Sequence, residues 1–157
     1  MLPLLVLASD GGEHRVRDCI EKLADGFNLS PADRRELLPS GKMTRLVNRV
    51  HWAKMYLTQT KLLESVKRGL FKITDRGRNI LKENPSHIDR NMLARFPELS
   101  EFESRTKEPT TAVNIIEPSS SDTPQERLES LFAELQAALA AQVLQQVRDC
   151  SPEFFEQ

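Results

Sequence analysis

The sequence predicts a mainly α-helical fold with one small β-hairpin, and three observations carry that expectation. Apolar residues recur at helical spacing along most of the chain. The period shortens to two only once, on either side of Lys67-Arg68-Gly69. Proline, glycine and capping residues divide the helical stretches into short lengths.

Residues 2–9 read as a short apolar helix ended by Asp10-Gly11-Gly12. His14 to Asp25 carries Val16, Cys19, Ile20, Leu23 and Ala24 on one helical face, and Gly26 stops it. Ser30-Pro31-Ala32-Asp33 supplies an N-cap, a proline at the first helical position and an early acid, and the short helix it opens ends near Leu38-Pro39. In the long stretch from Lys42 to Lys61, Met43, Leu46, Val50, Ala53 and Leu57 fall in a narrow arc that faces a core. Leu62 to Val66 and Leu70 to Thr74 then form the hairpin, with Phe71 and Ile73 alternating against Lys72. Asp75 to Lys82 returns to helix and Asn84-Pro85 ends it. Helices, then a hairpin with a basic tip, then a helix is the outline of a winged helix-turn-helix domain.

Beyond it, a short helix is expected from Arg90 to Phe96, followed by an irregular tail to Lys107. Residues 108–122 are rich in Pro, Thr and Ser, lack a hydrophobic period, and read as a flexible linker. Thr123-Pro124-Gln125-Glu126 is a capping box with proline at the first helical position. It opens a long amphipathic helix to about Asp149, with Leu128, Leu131, Phe132, Leu135, Leu139 and Val143 on one side. Ser151-Pro152-Glu153 repeats helix-start chemistry ahead of Phe154-Phe155, as a sequence cut short would. The expected organisation is thus a winged-helix domain over 1–107, a linker over 108–122, and over 123–157 a helix leading into a further domain.

Charge separates these parts. The 157 residues carry a net charge of only -1. Up to Lys107, however, 20 Lys and Arg face 14 Asp and Glu, whereas from Glu108 onward the count is 2 against 9. Between Lys42 and Lys82 there are 11 basic residues and 2 acidic ones, a net of +9. Such asymmetry points to a polyanion-binding module joined to something with a different task. A solvated Lys/Arg surface with no partner is the plain alternative. With 39% hydrophobic and 29% charged residues and no apolar run near the ~20 residues a spanning helix needs, no membrane crossing is expected. Two cysteines, Cys19 and Cys150, in unlike contexts give no disulfide framework, and the cytoplasm is the expected compartment.

On the Lys42–Lys61 helix, Lys42, Arg45, Arg49, Trp52 and Tyr56 lie within roughly 80° of one another, flanked by Thr44 and Asn48. Arginines at i and i+4 with Asn and Thr beside them suit phosphates and base edges of a major groove. The two arginines are assigned to DNA and the two aromatics to the core. Lys67 and Arg68 are read equally as a groove-reaching wing tip and as an edge-protecting turn. Arg76, Arg78 and Lys82 are expected on a solvated helix face. His14, His51 and His87 show no metal-ligand spacing, Gly11-Gly12 opens no phosphate loop, and neither cysteine has a basic neighbour to activate it. No active site, metal or cofactor is expected in this chain.

Several pieces taken together resemble a known family: "LLPSGKMTRLVNRVHWAKMYLTQTKLLESVKRGLFKITDRGRNIL", then "ENPSHIDRNMLARFPELSEF", and at the end "TPQERLESLFAELQAALAAQVLQQVRDCSPEFFEQ". They resemble the N-terminal domain of the Mrr family of restriction endonucleases. The resemblance implies a winged helix that recognises DNA, often methylated DNA. It also implies a linker and helix leading to a nuclease domain with a Mg²⁺-dependent acid-acid-lysine site. "SPEFFEQ" resembles the first helix of that nuclease domain, whose catalytic signature has no counterpart here. The ends are therefore expected to be those of a fragment, with Met1 an internal methionine of a longer parent enzyme. On this reading Arg45, Asn48 and Arg49 lie nearest the bases of double-stranded DNA with Thr44 beside them, and Lys42, Lys67 and Arg68 hold phosphates. Two other readings stand beside it. One is a stand-alone DNA-binding regulator that forms a homodimer through helix 124–149; the other is a protein-interaction module whose basic face is only solvated.

Overall fold

The structure is a computed structural model and describes residues 1–106 and 122–149. Residues 108–121 of the expected 108–122 linker, Cys150 and the "SPEFFEQ" segment lie outside the described residues. The elements in order are α1 (Leu2–Leu7), β1 (His14–Arg15), α2 (Val16–Gly26), α3 (Pro31–Arg35), α4 (Arg45–Gln59), β2 (Leu63–Lys67), β3 (Leu70–Ile73), α5 (Asp75–Lys82), α6 (Arg90–Leu93), α7 (Pro97–Thr106) and α8 (Pro124–Asp149). Mainly helical architecture with a small antiparallel sheet and a long C-terminal helix is what the periodicities predict.

Local chemistry sets the boundaries. Ser30 is the anticipated N-cap and forms a capping box with Asp33, each side chain accepting from the other's backbone N–H at 3.2 Å. Thr44 begins α4 as its N-cap, its hydroxyl accepting from the Val47 N–H at 3.4 Å. The helix therefore starts three residues later than Lys42, because Lys42 and Met43 stay outside that cap. Thr74 opens α5 in the same way, accepting from the Gly77 N–H at 3.1 Å.

The core is a single cluster to which α1, α2, α4, the sheet and α5 all contribute. Leu5, Cys19, Leu57, Leu62, Leu63 and Phe71 are at most 1% exposed. Val50 and Leu57 turn inward from α4 as its apolar arc predicts, with Leu46, Ala53 and Tyr56 packed at the margin. In β3 the buried Phe71 and Ile73 alternate with half-buried Lys72, so one face of the sheet closes on the helices. Gly77 lies where α5 crosses the sheet. A Cβ there would overlap the Leu62 carbonyl oxygen and the Ile73 side chain, so only glycine allows the close approach.

Two elements depart from the sequence expectation. His14 and Arg15 form a third strand, pairing with Phe71 and Leu70, so the sheet order is β1-β3-β2 and α2 begins only at Val16. A two-residue strand has no period to read; the long-range partner alone defines it. The tail after Phe96 is also more regular than expected. α7 packs Leu99 into the core, and its Glu98 is held by Arg76 at 2.8 Å and Lys61 at 3.4 Å. Arg76 also donates to the Thr60 carbonyl at 3.1 Å. Arg76 is thus a tie between α4, α5 and α7, not simply part of a solvated face.

Candidate nucleic-acid interface

The basic residues singled out in the sequence fall into two groups with opposite surroundings. The first is the N-terminal half of α4, where the start of α8 lies across Arg45, Asn48 and Arg49. Asn48 is 1% exposed and its side-chain amide donates to the Thr123 hydroxyl at 2.6 Å. Arg49 donates through Nε to the Glu126 carboxylate at 3.0 Å, and its Nη2 reaches Asp122 at 3.4 Å. Arg45 pairs with Glu36 at 3.0 Å and approaches the same Glu126 carboxylate at 3.4 Å.

Glu126 has two roles. It is the third helical residue of α8, and its carboxylate accepts from the Thr123 N–H at 2.7 Å while Thr123 accepts from the Glu126 N–H at 3.2 Å. That is the capping box expected from Thr123-Pro124-Gln125-Glu126. The same carboxylate, only 5% exposed, sits against two guanidinium groups. A second contact lies one turn on, where the Ser40 N–H donates to Glu129 at 2.9 Å. Hydrogen bonds from the Gln125 side chain and the Ser40 backbone hold the Glu129 carboxyl below its ordinary value of 4.5, with Lys42 adding attraction. From residue 130 to 148 every side chain of α8 is exposed, so among the described residues its burial is confined to its beginning.

The second group surrounds the hairpin turn. Gly69 takes φ +79° there, leaving Lys67 and Arg68 exposed. The Gly69 carbonyl accepts from the Val16 N–H at 3.0 Å, which fastens the turn to the first residue of α2. An open cleft of about 470 Å³ results, lined by Arg15, Arg17, Ile20, His51 and Arg68 among others. Arg15, Lys67 and Arg68 make no ion pair among the described residues, and Arg17 only approaches exposed Glu21 at 3.8 Å. Lys54 stands on the same side of α4 as His51, with its ammonium 6.0 Å from the Phe71 ring centre.

Arg68 is therefore brought together with Arg15, Arg17 and His51, which sequence reading did not select, with Lys67 beside it in the turn. The pairing of β1 with β3 carries Arg15 to the turn, and that pairing leaves no local signal. Thr44 is occupied as a helix cap, and Lys42 is exposed close to Glu129. Tyr56 packs against the core, with the Trp52 ring 5.8 Å away.

Among the described residues, no group of three or more His, Cys, Asp or Glu could hold a metal ion. Cys19 is buried, and desolvation raises its thiol above the ordinary value, so it is a packing residue. Among the described residues no helix is long and apolar enough to cross a membrane. The family model described as the Mrr N-terminal domain matches residues 1–83. No curated protein and no solved structure matches the chain.

Proposed function

The chain belongs to the family of the Mrr N-terminal domain, and from that premise we propose that its helical module binds double-stranded DNA for a restriction system. The observation that carries this reading is the set of exposed basic side chains around the hairpin turn. Arg15, Arg17, His51 and Arg68 line one cleft with Lys67 next to Arg68 in the turn, and Arg15, Lys67 and Arg68 lack an acidic partner among the described residues. Side chains in that state gain most from phosphate, because no internal pair has to be broken and bound counterions are released from the duplex. The sheet order β1-β3-β2, with α4 preceding the hairpin, supports a winged helix-turn-helix assignment in which the turn is the wing.

On this reading the module targets a nuclease domain to methylated sites in the cytoplasm. Methylation preference rests on the family resemblance alone. Fluorescence anisotropy with short methylated and unmethylated duplexes at several salt concentrations tests both parts. Four phosphate contacts, from Arg15, Arg17, Lys67 and Arg68, predict a log-log salt slope of about -3.6. That slope with tighter binding to methylated duplex supports the full reading. The same slope without preference removes modification reading, and no salt-dependent binding removes the DNA role.

A second reading is favoured by the bare apolar stripe of α8. Leu131, Phe132, Leu135, Leu139 and Val143 are each more than half exposed. A stripe of that kind suits a second copy of the same helix. Sedimentation yielding a strict monomer at high concentration would remove it.

A further inference from the structure

We propose that the start of α8 is an intramolecular latch over the base-reading half of α4, which duplex DNA must displace before Arg45, Asn48 and Arg49 can engage. The inference rests on the DNA reading above and concerns the regulation of that same surface.

The contacts are those a nucleic acid would make. Two carboxylates, Asp122 and Glu126, meet the Arg49 guanidinium, and Glu126 meets Arg45 as well. The Thr123 hydroxyl accepts the Asn48 amide proton, the kind of hydrogen bond a base acceptor would otherwise receive. An acidic segment of this same chain thus satisfies the donors that major-groove recognition would use. The arrangement differs from an ordinary core contact in how little else secures it. Past Leu128 and Glu129, α8 contributes only exposed side chains. Both arginine side chains keep 42% exposure, and the Arg49–Asp122 pair is open to solvent on both sides, so that pair is screened and modest.

Displacement would also be transmitted. α8 has 26 residues and is about 39 Å long, so a small rotation at its beginning moves its far end by many ångströms. The coupling is reciprocal: whatever factor the seated helix costs DNA binding, bound DNA costs the seating of the helix. This gives the module a means to report DNA engagement to whatever α8 carries.

The test uses the full chain and the double variant Asp122→Asn/Glu126→Gln. Glutamine is itself a capping-box residue, so the second change removes charge while keeping an acceptor for the Thr123 N–H. Anisotropy with a short duplex should show affinity rising about tenfold, with a steeper salt dependence from the freed arginines. Adding Arg45→Ala/Arg49→Ala to the same background should abolish the gain. Asp122→Asn alone, which lies outside the capping box, should give a smaller rise and guards against a folding defect in the double variant. In the native chain, saturating duplex should quicken hydrogen exchange at the amides of residues 125–130. Unchanged affinity and salt slope in both variants, with native binding intact, would overturn the latch and leave the DNA reading standing. Absence of salt-dependent binding in native and variant chains alike would overturn both.

Discussion

The two cationic surfaces of this module carry similar residues and face opposite circumstances. At the hairpin turn, Arg15, Lys67 and Arg68 project without acidic partners among the described residues. On the N-terminal half of α4, Arg45 and Arg49 are drawn into ion pairs with Glu36, Asp122 and Glu126, and Asn48 is sealed from water. A count of basic residues rates the two alike. What separates them is a segment 70 or more positions away whose capping acid reaches across. A positive charge marks a candidate polyanion site only when its counter-charge within the same chain has been located.

The largest expected effect comes from breaking the frame that holds both surfaces. Phe71 is fully buried beneath the turn and faces His14 at 6.1 Å, so Phe71→Ala should cost about 3–5 kcal/mol in chemical denaturation. Both surfaces would be lost together. Next is the open surface itself. Arg17→Ala/Arg68→Ala should lower duplex affinity about tenfold and make the salt slope shallower by about 1.8, with stability nearly unchanged. An equal loss at high and low salt would mean the two arginines do not meet phosphate.

At the covered surface, the effects on stability should be smaller than that of Phe71→Ala. Glu126→Ala removes the capping acceptor of α8 and the shared partner of two arginines, which should cost the start of that helix about 1 kcal/mol. Hydrogen exchange along residues 125–130 would show the loss. The smallest effect is at Glu129. Its carboxyl titrates below the ordinary value of 4.5 when α8 is seated, so its contribution is present above that pH and fades as pH falls through the depressed value. Glu129→Gln should flatten this acid limb in the same exchange measurement, whereas an unaltered limb would place the titration elsewhere.

The sequence made much of the scaffold legible because local chemistry determines it. The Ser30-Asp33 box, the alternation of Phe71 and Ile73 around Lys72, and the capping box at Thr123 are read from neighbours within four positions. The β1 strand and the Arg76–Glu98 tie were not legible, since each depends on a partner far along the chain. The candidate site divides along the same line. Lys67 and Arg68 were marked by their turn, but Arg15, Arg17 and His51 join them only through the sheet and the packing of α2 on α4. Nothing near Arg45, Asn48 or Arg49 announces that Thr123 and Glu126 will cover them.

The most direct test of the account is backbone amide shift mapping of the native chain on addition of a short duplex. The account predicts the largest shifts at residues 15–17, 51–54 and 67–70, with smaller ones along 45–49 and 122–129. The largest shifts at 45–49 with the hairpin turn unmoved would contradict it.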